Sequence, residues 1–267
     1  MTTLKSVILV LSITLLASCN TVEKNKPETI LQEPTTTPKV EKLDKGQTVL
    51  NETILAHGGD LYNSANYAFT FRDNNYQFKN EGTNYTYTKT VKKGETITID
   101  VLENDTFSRT VNDKPVTLSD KAKASATGAI NSVIYFATLP YKLNDSAVNV
   151  KYIESTTIKN KNYTVLEITF NEAGGGEDHD DQFYYWINKD SKKIDYLAYS
   201  YKVNDGGVRF RSAYNSRVID GITFQDYINY EAEVGTPLKD LPKLLEAKKL
   251  KELSKIKTEN IINLNKN

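Results

Sequence analysis

The chain has 267 residues, with 34 basic and 34 acidic side chains and a formal net charge of +0. Balanced charge without a basic stripe argues against nucleic acid as a partner. One cysteine and two histidines leave no disulfide framework, no redox cysteine pair and no histidine-rich metal site.

The N-terminus, MTTLKSVILVLSITLLASCN, carries a lysine, an apolar run from Val7 to Leu16 and small residues up to Cys19. This is the pattern of a secretory signal over residues 1–18, too short for a permanent membrane span. Leu16, Ala17, Ser18 and Cys19 resemble the lipobox of bacterial lipoproteins. That resemblance implies cleavage before Cys19 and lipidation of its thiol. Each buried methylene adds about 0.8 kcal/mol, so two or three acyl chains anchor stably. Asn20 follows where enteric bacteria place Asp to retain a lipoprotein at the inner membrane, and no Lys-Asp-Asp-like run follows the cysteine. The expected location is therefore the periplasmic face of the outer membrane. Residues 19–42, rich in Thr, Pro, Lys and Glu, read as a flexible tether that cannot bury enough surface to fold alone.

A single α+β domain is expected over residues 43–235, with a C-terminal amphipathic helix and tail over 236–267. The first helix starts near Leu43, where Gln47, Leu50, Ile54, His57 and Leu61 recur at steps of three and four, and Gly58 and Gly59 stop it. Period-two runs follow in NYAFTF, NYTYTKTV and ETITIDV. A helical insertion begins at a Ser119 cap and ends by Pro140. Alternation returns in NYTVLEITF, DQFYYWI, IDYLAYSYKV, GVRFRSAY and ITFQDYINY, and DLPKLLEAKKLKELSKIK reads as the last helix. Nine to eleven strands with Asn, Gly, Asp and Lys turns predict one large, curved antiparallel sheet, a half-barrel.

The order of leading helix, curved sheet and mid-chain helical insertion resembles the LolA/LolB lipoprotein-localisation half-barrel, whose concave face holds acyl chains. In sequence, AHGGDLY, YAFTFRDNNY, GGGEDHDDQFYYWIN, DYLAYSY and GGVRFRSAYN resemble an uncharacterised lipoprotein family typical of Bacteroidota. That family implies no activity.

Candidate site residues follow from chemistry. His57 lies on the apolar stripe of the first helix, where it is either a buried ring bonded to backbone or carboxylate, or a group facing a ligand. Arg209 and Arg211, two apart on a strand, share a face; with Arg72, at the end of YAFTFR, they could grip a carboxylate or phosphate, or pair with Glu167, Asp195 or Asp226. Tyr76, Glu167, Trp186 and Tyr199 complete the ligand-binding candidates, because aromatic rings with polar tips suit an amphiphile. The stretch AGGGEDHDDQFYYW reads as a hairpin connection, with Asp178, Asp180 and Asp181 as weak candidates for a hard cation. No nucleophile elbow, phosphate loop or H-E-x-x-H motif occurs.

These residues point to a membrane-anchored envelope lipoprotein, monomeric and without cofactor, that holds a lipid or other amphiphilic or anionic small molecule in a half-barrel cavity. The alternatives are a hydrolase or lyase using His57 with Glu167 or an arginine, and an envelope scaffold that binds protein.

Overall fold

Tight turns join successive strands into antiparallel hairpins. At Arg72–Asp73, Asn112–Asp113 and Lys159–Asn160 both turn residues have positive φ, between 47° and 63°. That is the two-residue turn whose twist matches the strands it connects, and Asn and Asp tolerate it well. The computed structural model describes residues 44–173, 181–202 and 205–266, all within a unit spanning 42–267. Cys19, the signal and the tether lie outside the described residues, as do Asp178 and Asp180.

Among the described residues, fourteen strands form two seven-stranded antiparallel sheets. The first holds β1 (Asn66–Phe71), β2 (Asn74–Glu81), β3 (Asn84–Lys93), β4 (Thr96–Glu103), β5 (Thr106–Val111) and β6 (Lys114–Pro115) in chain order. The second holds β7 (Val148–Ile158), β8 (Lys161–Phe170), β9 (Gln182–Asn188), β10 (Ile194–Tyr201), β11 (Gly207–Ile219) and β12 (Ile222–Ala232). Two last strands close the edges: β13 (Lys251–Ile256) pairs with β12, and β14 (Glu259–Asn263) pairs with β1. The chain therefore passes from one sheet edge to the other through Lys257 and Thr258. Register shifts in the β7–β8, β9–β10, β11–β12 and β12–β13 ladders are bulges that bend the second sheet.

Polar bonds pin this crossing. Asp226 on β12 is 3% exposed and accepts from Thr258 N at 3.0 Å and Asn215 Nδ2 at 2.7 Å. Arg217 Nη2 lies 3.1 Å from the same carboxylate and also donates to the Thr258 carbonyl.

Among the described residues, three α-helices cover the sheets. Helix α1 (Lys45–His57) is capped by the Asp44 carboxylate, which accepts from Gly46 N at 2.9 Å. A Cβ at Gly46 would lie 2.9 Å from Tyr152 N, so the helix approaches β7 as closely as it does only because this residue is glycine. Helix α2 (Asp120–Ala137) starts at Ser119, as its sequence predicts. Its first turns are exposed; Ile130 and Ile134 are its buried contacts with the first core. Helix α3 (Leu241–Glu246) is short.

Burial explains the pairing of layers. The first sheet buries Tyr67, Phe69, Tyr76, Phe78 and Tyr87 beneath α2, with Ile222 and Phe224 of β12 reaching into the same core. One face of the second sheet packs on Leu50 of α1 and on Tyr135 and Phe136 of α2. Its other face buries Trp186, Tyr196 and Phe210 under Leu238, Leu241, Leu244 and Leu245.

The α+β antiparallel architecture expected from the alternation is the one that forms, with more strands than the nine to eleven anticipated and in two sheets rather than one. A correction concerns the C-terminus. The helical pattern through Lys257 yields helix only over Leu241–Glu246; Lys248 takes φ 56°, and residues 251–256 extend as an edge strand. An edge strand buries little and carries charged side chains, so its sequence mimics a solvated helix. Among the described residues, no helix is long and apolar enough to cross a membrane.

Candidate functional site

Alternation on three neighbouring strands builds a row of rings on the α2 side of the second sheet. Tyr199 sits opposite Phe183 in the β9–β10 ladder, and Leu197 opposite both Tyr185 and Arg211, so these side chains share one face. Phe183 and Tyr199 stack with centroids 5.4 Å apart; Phe170 meets Phe183 edge-on at 5.6 Å, and Tyr201 lies 6.1 Å from Tyr199. Phe136 of α2 lies over the row, 5.8 Å from Tyr199. Phe136, Phe170, Tyr199 and Tyr201 are half-buried, whereas Tyr185 is buried. The row thus runs from a partly open rim into the core.

At its inner end the hydroxyls of Tyr135 and Tyr185 are 3.1 Å apart. Burial raises the pKa of both, and of neighbouring Tyr227, above the ordinary phenol value. They are neutral hydrogen-bonding groups at any physiological pH.

Arg211 is the unusual member. It is 7% exposed, its guanidinium carbon is 3.7 Å from the Phe136 centroid and 5.4 Å from that of Tyr199, and Nη2 donates to Tyr199 Oη at 3.1 Å. Its Nε is buried without a partner. Asn229, directly across the β11–β12 ladder from Arg211, has a buried Oδ1 likewise without one. Cation–π contact contributes about 2 kcal/mol when desolvated, less than the several kcal/mol that withdrawing an ion from water costs.

The other expected residues are scattered. Arg209 shares Arg211's face but lies nearer the rim, over the Tyr201 ring at 5.2 Å, with Nη1 donating to Val208 O at 3.1 Å. Arg72 is exposed in the β1–β2 turn with φ 48° and not on a sheet face, because the tight turn claims its position. Tyr76 is core of the first sheet, stacked on Phe69 at 5.6 Å, and Trp186 is core on the far face of the second. Glu167 accepts from Gln182 Nε2 and pairs with Lys151 at 3.7 Å.

His57 is 0% exposed. Its Nε2 accepts from Ile194 N at 3.2 Å, and its Nδ1 has no partner. Burial, aided by Lys193, lowers its pKa from 6.5 to about 3, so the ring is neutral. Neither Glu167 nor an arginine bonds it, and the pairing required by the hydrolase or lyase alternative is not formed. Among the described residues, no cluster of three His, Cys, Asp or Glu side chains could hold a metal ion.

Phe136, Phe170 and Asn229 belong to the site without having stood out in the sequence. Phe170 and Phe183 flank the glycine-acid stretch, and alternation alone would have placed them on one face had the ladder register been known. Open clefts lie away from this row, among them one of about 450 Å³ beside Arg217 and Thr258 and one of about 500 Å³ between Asn63, Tyr85 and Lys142.

Sequence comparison places the chain up to Thr258, short of β14, in one family. The profile of a family of unknown function, DUF6503, matches residues 5–258. The chain belongs to that family. No curated protein matches this DUF6503 member. Among solved structures it is similar to a LolA superfamily protein from Nitrosomonas europaea, at 12% identity over 71% of this chain and 87% of that one, with a TM-score of 0.43. A DUF1329 family protein from Desulfovibrio piger is similar at 12% identity, 83% and 94% coverage and a TM-score of 0.39. The lipoprotein LppX of Mycobacterium tuberculosis is similar at 13% identity, 61% and 91% coverage and a TM-score of 0.27.

Proposed function

We propose that this DUF6503 protein binds an amphiphile, with the ligand's apolar part lying along the aromatic row between α2 and the second sheet. The row itself carries the reading: half-buried Phe136, Phe170 and Tyr199 lead without interruption into buried Phe183 and Tyr185. Such surface stays half-exposed when something apolar is to be laid on it.

Anchoring completes the proposal. The lipobox-like residues ending at Cys19 support a lipid-linked protein, and Asn20 supports the periplasmic face of the outer membrane. A lipid-anchored binding module would work beside the membrane that supplies its ligand, as a monomer and without a cofactor.

Native mass spectrometry of the full chain, purified from membranes, tests the reading. The expected result is one stoichiometric added mass beyond the lipidated chain, released by organic solvent. A protein that carries no added mass, and gains none when offered palmitate or hexadecanol, refutes it.

A further inference from the structure

The geometry points to a carboxylate as the head of the bound amphiphile, held by Arg211; this rests on the amphiphile-binding reading above. The guanidinium is the one described cation under α2 on this face, and it is buried against the Phe136 and Tyr199 rings and the Tyr199 hydroxyl, with no described carboxylate bonded to it. A buried ion left in that state is costly, and an anion of charge −1 would neutralise it. A phosphate dianion would leave one negative charge without a partner, and an alcohol would leave the cation as it is.

Hydrogen-bonding capacity agrees. Nε and Nη2 form the side-on edge of the guanidinium fork, the edge that takes planar carboxylates. Nη2 is engaged with Tyr199 Oη, and Nε is open. Tyr199 accepts in that bond, so its own O–H remains to donate. One carboxylate oxygen then takes the Nε–H and the other the Tyr199 O–H, and the alkyl chain leaves along Phe183 and Phe170 toward the rim. Asn229, across the ladder with its amide oxygen unpartnered, offers its NH₂ to the same head once the amide rotates by half a turn. Arg209 does not compete, since it is turned to Val208 O and the Tyr201 ring.

Two probes of one chain length separate head from tail: palmitate and hexadecanol, titrated into the full chain held in a fluorinated surfactant and counted by native mass spectrometry. Charge-assisted hydrogen bonds predict palmitate binding roughly tenfold to a hundredfold tighter than hexadecanol. Arg211→Met should bring palmitate down to the level of hexadecanol and leave hexadecanol unchanged. Tyr199→Phe, which keeps the ring and removes the O–H, should weaken palmitate alone, and it stands as the test if the Arg211 variant does not fold. With [1-¹³C]palmitate, the bound carboxyl resonance should titrate at lower pH than the free acid, a shift lost in Arg211→Met. Equal affinity for the two probes in the wild-type protein, or a palmitate preference that survives both substitutions, overturns the carboxylate assignment and leaves amphiphile binding standing. Failure of both probes to bind removes the amphiphile reading and the assignment with it.

Discussion

Lowering the pH from 7 to 5.5 should destabilise the fold by about 1.3 kcal/mol through His57 alone. The ring is fully buried, and its pKa falls from 6.5 to about 3 in the folded protein, through burial first and Lys193 second. Between these two values the unfolded chain binds a proton that the native chain does not, so stability falls as pH falls and approaches a slope of about 1.4 kcal/mol per pH unit. At pH 7 about a quarter of unfolded imidazoles are charged, and at pH 5.5 about ten of every eleven; integrating across that change gives the stated loss. Urea unfolding at both pH values reads it directly, with the single tryptophan, Trp186, as a buried fluorescent reporter. His57→Gln cannot titrate, so its loss over the same interval should be smaller than wild type by the same 1.3 kcal/mol or so, whatever its stability at pH 7. Carboxylates and His179 are present in both proteins and cancel in the comparison. Equal losses in wild type and variant would refute the neutral, buried ring.

Three further substitutions probe the frame around the site, each read from the urea midpoint at constant m-value. Asp226→Ala leaves Arg217, Thr258 N and Asn215 without their shared acceptor and should cost about 3–5 kcal/mol; a loss below about 1 kcal/mol would mean that the strand crossing is held by other contacts. Gly46→Ala should destabilise by about 1–3 kcal/mol in spite of alanine's better helix propensity, since the new methyl meets Tyr152 N at 2.9 Å; increased stability would show that α1 can slide off β7. Asp44→Ala removes the cap on Gly46 N and should cost about 1 kcal/mol, with no change counting against the cap.

Much of the fold was legible because one physical signal dominates it. Period-two alternation with Asn, Asp and Gly at the turns specified antiparallel hairpins, and the same signal marked both sheets. The Ser119 and Gly58 boundaries of the first two helices were legible for an equally local reason, since capping is decided by the residues at the helix end. Non-local pairing was not. Residues 251–256 and 259–263 are strands only because β12 and β1 offer them edges, and nothing within KELSKI or ENIIN reports that.

The candidate site shows the same division more sharply. Arg209 and Arg211 share a face, as their spacing requires, yet their environments are opposite: one lies over Tyr201 near the rim, the other under Phe136 with Nε unpartnered. The difference is set by where α2 crosses the second sheet and by the register that puts Leu197 opposite Arg211 and Phe183 opposite Tyr199. Spacing within one strand fixes which side chains look the same way; packing of a helix sixty or more residues upstream fixes which of them loses its water. His57 makes the converse case. Its apolar stripe told correctly that it faces inward, and the same burial that made it a site candidate drives its pKa down and commits its Nε2 to Ile194 N. For an arginine, burial without an anion leaves a charge that a ligand can neutralise; for a histidine, it removes the charge altogether. The carboxylate assignment therefore rests on Arg211, whose guanidinium is buried with Nε unpartnered, while the aromatic row carries the binding proposal itself.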